Sequence, residues 1–126
     1  MFTIGVQSEF SAAHFHSGAG KNCRRIHGHN YRIEAQVASR SLRKNMVVDF
    51  DVVRVALQEA LGPWDHRLLN EVDEFKRIET TTENICRLLF VKLSSLLPPS
   101  VLLRKIIIWE TEDCWASYSE EDAGED

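Results

Sequence analysis

Two segments in which apolar and polar residues alternate constrain the fold of this chain most. In residues 2–16 most apolar side chains share one parity, and residues 29–38 repeat the pattern around Tyr31 and Ile33. Side chains two apart on a strand lie on the same face of a sheet. Both segments are therefore predicted to be half-buried strands, and the Gly- and Asn-containing connection between them predicts an antiparallel pair.

Two helices are predicted after these strands. Residues 51–62 carry apolar side chains at helical spacing and stop at Gly62-Pro63. Residues 80–97 carry a second apolar stripe, ended by two prolines. Thr80 and Glu83 have the spacing of a capping box, although the two threonines between them compete for the cap.

The remaining apolar segments, residues 101–110 and 114–118, are rich in β-branched and aromatic residues and are predicted to be closing strands. The element order is then strand, strand, helix, helix, strand, strand. We predict a single α+β domain over residues 1–119, with a four-stranded antiparallel sheet and two helices packed on one face. Residues 120–126 hold five acidic side chains and are expected to form a disordered, solvated tail.

Charge and composition exclude several function classes. Five of the 19 acidic residues lie in the tail, so the 15 Lys and Arg side chains nearly balance the rest. No concentrated basic face is indicated, and no nucleic-acid partner is expected. The most apolar region, residues 88–109, is broken by charged residues and prolines, so no membrane span is expected. Three irregularly spaced cysteines and an N-terminus without signal-peptide features predict a cytoplasmic location.

Three histidines share the apolar parity of the two predicted strands. His14 has the parity of the apolar side chains in the first strand, and His27 and His29 have that of Tyr31. Three imidazoles from neighbouring strands can converge on one Zn²⁺, with Zn–N bonds of about 2.0–2.1 Å and an open fourth position. His16 shares this parity and is a rival ligand, ranked lower because it lies nearer the loop.

The role of Cys23 distinguishes two kinds of metal site. As a fourth ligand it would close the site, which is typical of structural zinc, whereas as a free thiol beside an open zinc it would be reactive. Histidines with ordinary hydrogen bonds are the remaining alternative. That alternative suits one histidine better than three on one face.

Five short motifs follow one another along nearly the whole chain, excluding the acidic tail. In order they are SAAH at 11–14, CRRIHGHNY at 23–31, DH at 65–66, TTEN at 81–84 and WET at 109–111. Together they resemble the 6-pyruvoyltetrahydropterin synthase superfamily. The three-residue gap between Cys23 and His27 resembles the microbial 6-carboxytetrahydropterin synthases of the queuosine and deazapurine pathway, since the animal pyruvoyl-forming enzymes have a longer gap.

The resemblance implies the tunnelling fold (T-fold), in which subunits join edge to edge into a barrel. Joining would also cover the unpaired edges that a small open sheet leaves. The family is usually a homohexamer of two stacked trimers, with active sites between subunits.

The resemblance also implies roles for the metal-site and proton-transfer residues. His14, His27 and His29 match the zinc ligands, and the open position of the metal takes the hydroxyls of the substrate side chain. Cys23 matches a group that moves a proton there. His66 matches the second proton-transfer group and Asp65 its orienting carboxylate, although adjacent side chains usually point apart.

Substrate contacts are implied by the remaining motifs. Glu110 matches the carboxylate that anchors the pterin, accepting from its 2-amino group and ring N–H. Thr81 and Thr82 match pterin-contacting residues from a neighbouring subunit, although a helix cap is the simpler alternative. Arg24, with the neighbouring basic residues, is expected to hold the triphosphate. Thr80 stands where the family often has proline, a difference expected to change loop rigidity more than chemistry.

The implied activity is that of a zinc-dependent carbon–carbon lyase. It would convert 7,8-dihydroneopterin triphosphate to 6-carboxy-5,6,7,8-tetrahydropterin and release acetaldehyde and triphosphate. One alternative is 6-pyruvoyltetrahydropterin formation by triphosphate elimination. Side-chain cleavage for folate synthesis fits less well, because that variant usually has glutamate near the Cys position and none stands between residues 10 and 33. A non-catalytic zinc-binding module with Cys23 as fourth ligand is the alternative from another class.

Overall fold

The computed structural model describes residues 1–15 and 25–120, and its framework is a long antiparallel pair. Strand β1 (Phe2–His14) pairs with β2 (His27–Ser39) in continuous register, from Phe2 opposite Ser39 to His14 opposite His27. Both predicted strands are confirmed. Each strand runs 13 residues.

The sheet has five strands, one more than predicted. Strand β4 (Leu102–Trp109) pairs antiparallel with β2, and β5 (Trp115–Tyr118) pairs antiparallel with β4. The additional strand, β3 (Arg67–Leu68), pairs in parallel with β1, giving the order β3-β1-β2-β4-β5. A strand of two residues is too short to show a periodic pattern. The prediction of a four-stranded, wholly antiparallel sheet therefore did not include this parallel edge strand.

Two helices follow the predicted positions. Helix α1 (Phe50–Leu61) begins after Asp49, whose side chain accepts from the amide of Asp51. Helix α2 (Thr82–Leu96) begins after Thr81, whose hydroxyl accepts from the amide of Asn84 at 3.2 Å. Thr81 is therefore the N-cap, and Thr80 is left for another role. Two short 3₁₀ turns, Leu69–Glu71 and Asp73–Phe75, connect β3 towards α2.

The core lies between one face of the sheet and the two helices, which confirms the α+β arrangement. On β2 the side chains of Tyr31, Ile33, Ala35 and Val37 are wholly buried, as the alternation predicts. The opposite face is polar, with contacts such as the 2.6 Å hydrogen bond between the side chains of Ser11 and Asn30. Within the described residues, no helix is long and apolar enough to cross a membrane.

Candidate metal centre and active site

Three histidines meet where β1 ends and β2 begins, on the core face of the sheet. His14 lies opposite His27 in the strand register, and His29 lies opposite Ala12. The His14 ring centroid is 4.5 Å from that of His27 and 5.5 Å from that of His29, and the His27 and His29 centroids are 4.9 Å apart. The side chains that sequence parity placed on one face therefore form one compact cluster.

Backbone carbonyls fix the tautomers of two of these histidines. The Nδ1 of His14 is 2.7 Å from the carbonyl oxygen of Thr80, and the Nδ1 of His27 is 2.8 Å from that of Arg25. A carbonyl can only accept, so each Nδ1–H donates and each Nε2 keeps its lone pair. Metal-binding histidines are commonly oriented by a hydrogen bond of this kind at the other ring nitrogen.

Glu110 completes a four-residue cluster with the three histidines. It follows β4 directly, and its Oε1 is 3.5 Å from Nε2 of both His14 and His29. One ligand atom from each of the four side chains lies within 4.8 Å of the others. Three imidazoles and a carboxylate are a donor set that fits a zinc ion. Sequence reasoning assigned Glu110 to the pterin alone, and its contact with the histidines was missed.

Burial favours the neutral form of His14 and His29. Desolvation is the main cause that lowers the pKa of His14, and the charges of the other two histidines lower it further. Desolvation is also the main cause that lowers the pKa of His29, and Glu110 opposes it. A neutral imidazole has the free lone pair that a metal requires. The four side chains are thus able to hold a metal ion.

Tyr31 lies next to the cluster and was not singled out from the sequence. Its ring is wholly buried, and its centroid is 5.5 Å from that of His29. Its hydroxyl has no hydrogen-bond partner among residues 1–15 and 25–120. Burial, and then the charge of Glu110, raises its pKa, so the hydroxyl stays protonated and able to donate.

Asp65 and His66 form a second polar pair, held at the edge of β1. The Asp65 Oδ1 accepts from the amide of Ser11 at 2.9 Å, and the amide of His66 donates to the Ser11 carbonyl at 2.6 Å. The Oδ2 of Asp65 is 3.1 Å from Nδ1 of His66. The φ of 58° at His66 puts its backbone in the left-handed region, and here these adjacent side chains do meet.

His66 of this pair lines a cleft that also reaches the histidine cluster. His66 and Arg67 line this cleft with His29 of the cluster and with Ser11 and Asn30, whose side chains have the parity opposite to that of the cluster. The hydrogen bond from Ser11 is the main cause that lowers the pKa of Asp65. Within residues 1–15 and 25–120, His66 is not among the four side chains whose ligand atoms lie within 4.8 Å of one another. The imidazole of His66 therefore borders the same cleft as His29 without belonging to the candidate metal cluster.

Thr80 and Asn70 hold the end of β1, and sequence reasoning gave neither a role at the site. Thr80 is wholly buried, and its hydroxyl donates to the Phe15 carbonyl at 2.9 Å. The Asn70 side chain donates to the same carbonyl at 2.8 Å and accepts from the Phe15 amide at 3.0 Å. Phe15 follows His14, so these contacts position a cluster residue. Thr80 therefore contributes more than loop rigidity.

Thr82 and Glu110 of the same chain border one pocket, with Cys114 and Trp115. Thr82 therefore reaches the neighbourhood of Glu110 without a second subunit, whereas Thr81 caps α2. Cys23 and Arg24 lie outside the described residues, as does the rival ligand His16.

Cys86 differs from Cys114 in its surroundings. It is buried in α2, its thiol donates to the Ala116 carbonyl at 3.3 Å, and burial raises its pKa to about 12. Cys114 is exposed. Because the reactive form of cysteine is the thiolate, Cys86 is a packing residue.

Known proteins resemble this chain over most of its length. Residues 3–121 match the family model described as 6-pyruvoyl tetrahydropterin synthase. A protein of Archaeoglobus fulgidus, provisionally named a 6-carboxy-5,6,7,8-tetrahydropterin synthase, is 36% identical over 113 residues, covering 90% of this chain and 91% of its own. A 6-carboxy-5,6,7,8-tetrahydropterin synthase of Synechocystis is 33% identical over 127 residues, covering 94% of this chain and 93% of its own.

A solved structure supports the same assignment of the fold. The 6-pyruvoyl tetrahydropterin synthase of Caenorhabditis elegans superposes with a TM-score of 0.84 at 28% identity. The match covers 95% of this chain and 96% of that one.

Proposed function

Since the chain belongs to the 6-pyruvoyl tetrahydropterin synthase family of enzymes, we propose that it converts 7,8-dihydroneopterin triphosphate to 6-carboxy-5,6,7,8-tetrahydropterin. Acetaldehyde and triphosphate are the other products. The observation that carries the proposal is the cluster of three histidines whose carboxylate neighbour, Glu110, also borders a pocket. The names of the Archaeoglobus and Synechocystis relatives favour the carboxylated product.

Glu110 recognises the pterin ring in this proposal. The 2-amino group and the adjacent ring N–H present two parallel donors, which a carboxylate can accept together. Thr82 lines the pocket beside it. The amide of Glu110 donates to the Cys114 carbonyl at 3.0 Å, which fixes the backbone from which the pterin-binding side chain extends.

His14, His27 and His29 would hold the zinc ion. Zinc bound there would supply a Lewis acid that lowers the pKa of nearby substrate hydroxyls and stabilises developing negative charge. The hydrogen bonds to the Thr80 and Arg25 carbonyls hold the ring proton on Nδ1 of His14 and His27, so Nε2 of each ring is unprotonated and can bind the metal. These contacts reduce the reorganisation needed on binding.

Cys23 and His66 would move protons at the substrate side chain, with Asp65 orienting the imidazole of His66. The contact of Asp65 with Nδ1 leaves Nε2 of His66 directed outward, and the imidazole is 80% exposed. Because His66 is largely exposed and does not belong to the cluster of its own chain, we propose that it serves the metal centre of a neighbouring subunit. This requires a homo-oligomer, for which a hexamer of two trimers joined through the β3 and β5 edges is our proposal.

Arg24 would bind the triphosphate, together with the basic side chains beside it. The proposed reaction belongs to cytoplasmic queuosine and deazapurine synthesis. Formation of 6-pyruvoyltetrahydropterin is the second candidate. It is favoured by the likeness to the Caenorhabditis elegans enzyme, and product mass separates the two reactions.

Product analysis tests the proposal. Zinc-loaded protein is incubated with 7,8-dihydroneopterin triphosphate, and the products are identified by mass spectrometry. We expect a carboxylated tetrahydropterin and acetaldehyde, both lost in Cys23→Ala. Glu112→Gln changes an exposed acid two residues from Glu110 and should keep full activity. Recovery of unchanged substrate from the wild-type protein would show the proposal to be wrong, and a pyruvoyl product would favour the second candidate.

A further inference from the structure

The geometry points to Glu110 as a carboxylate shared in turn by the metal and the pterin. Without a pterin it is the fourth ligand of the metal, and it leaves the metal when a pterin ring takes it. This inference rests on the proposed function, because it concerns the same metal and the same class of substrate. It adds that the fourth metal position is closed at rest and is opened by the substrate ring.

The separation between Glu110 and two imidazoles matches shared ligation better than hydrogen bonding. The Oε1 of Glu110 is 3.5 Å from Nε2 of both His14 and His29. Metal–ligand bonds of about 2.0–2.1 Å place tetrahedral ligand atoms about 3.4 Å from one another. A direct N–H···O hydrogen bond would be shorter, at about 2.7–3.2 Å.

The tautomer of His14 points to the same conclusion. Its Nδ1–H donates to the Thr80 carbonyl, so the lone pair of Nε2 faces the carboxylate oxygen of Glu110. Two acceptors facing each other repel, unless a cation lies between them. Such an arrangement of donor atoms is what a metal ion stabilises.

The second position for the Glu110 carboxylate is the adjoining pocket. Glu110 lines this pocket with Thr82, Cys114 and Trp115. Its backbone is held by the hydrogen bond to the Cys114 carbonyl, directly beyond the paired residues Trp109 and Trp115. Because the main chain is fixed, rotation of the side chain alone would move the carboxylate from the histidines into the pocket.

One carboxylate cannot fully serve both ligands. Bidentate acceptance from the pterin uses both oxygens, whereas the fourth metal bond needs one of them. The metal and the pterin ring must then compete for Glu110, and the coupling is equal in both directions. A full substrate would recover the lost metal bond through its side-chain hydroxyls. An unsubstituted pterin ring cannot do so.

The experiment measures this competition without turnover. The affinity of full-length protein for unsubstituted pterin is measured by calorimetry, first in the apo form and then loaded with zinc. We expect zinc to weaken pterin binding by about tenfold, within the usual range of coupling between two sites. In Co²⁺-loaded protein, pterin should change the visible ligand-field spectrum as the carboxylate leaves the metal.

Variants assign the coupling to one side chain. Glu110→Gln, with Glu110→Ala as the second choice if it folds poorly, should weaken zinc binding and make the cobalt spectrum insensitive to pterin. Glu112→Gln is the matched control and should behave as wild type, since this exposed neighbour is outside the cluster.

Equal pterin affinity of the apo and zinc forms, with an unchanging cobalt spectrum, would overturn the inference. Failure of pterin to bind either form would also overturn it, because Glu110 would then have no second ligand. Neither result depends on which product the enzyme forms. A failed product assay with intact coupling would contradict the proposed function alone.

Discussion

The carbonyl of Phe15 is the point where stability and the metal centre are most directly linked. It accepts from the hydroxyl of Thr80 at 2.9 Å and from the side chain of Asn70 at 2.8 Å. The Asn70 side chain also accepts from the Phe15 amide at 3.0 Å. We predict that Thr80→Val and Asn70→Ala destabilise the apoprotein unequally, and that their effects do not add.

The size of each loss in the free energy of unfolding depends on which polar groups keep a hydrogen-bond partner. Thr80→Val removes the hydrogen bond from the hydroxyl to the Phe15 carbonyl and the 3.2 Å contact of the hydroxyl with Nδ1 of His14. It leaves the Phe15 carbonyl paired with Asn70 and Nδ1 of His14 paired with the Thr80 carbonyl, so it should cost about 1 kcal/mol. Asn70→Ala removes two bonds and leaves the partly buried Phe15 amide unpaired, at about 2 kcal/mol. In the double variant the carbonyl loses both donors, which should add about 1 kcal/mol beyond the sum of the single effects.

Urea denaturation of the metal-free protein measures all three free energies of unfolding. Ser95→Ala removes an exposed hydrogen bond to the Lys92 carbonyl and should change stability by less than about 0.5 kcal/mol. Because Phe15 follows His14, zinc affinity in the double variant should fall about tenfold, which competition with a chromophoric chelator can measure. Additive free energies, or unchanged zinc affinity, would show that Phe15 is not the shared acceptor that positions His14.

Three further predictions concern the metal, a proton-transfer residue and the thiols. Zinc at 100 times its dissociation constant should stabilise the protein by about 2.7 kcal/mol in thermal unfolding, and His27→Ala should abolish most of this gain. The Ser11 hydrogen bond keeps the pKa of Asp65 below its usual value, so the carboxylate is lost only as pH falls through that lowered pKa. Asp65→Asn should therefore reduce kcat about 100-fold throughout the neutral range, and a kcat equal to that of the wild type at neutral pH would contradict this role. Native protein treated with iodoacetamide should be labelled at Cys114 and not at Cys86, as read by peptide mass mapping, since burial keeps the Cys86 thiol protonated and enclosed.

Local periodicity determined much of this protein from sequence alone. Alternation gives the face of each residue on a strand, so the parity of His14, His27 and His29 was enough to place them together. Apolar stripes likewise predicted both helices. The five ordered motifs indicated the family, which the match over residues 3–121 shows.

Only the tertiary structure decided the distances between segments that are far apart in the chain. It places Glu110 at 3.5 Å from two imidazoles and puts Thr80 and Asn70 behind His14. It also forms the two-residue strand β3 beside β1, next to the hydrogen bonds that tie Asp65 and His66 to Ser11. The physical reason is that periodicity encodes which way a side chain points, whereas register, turn geometry and packing determine which residue it meets.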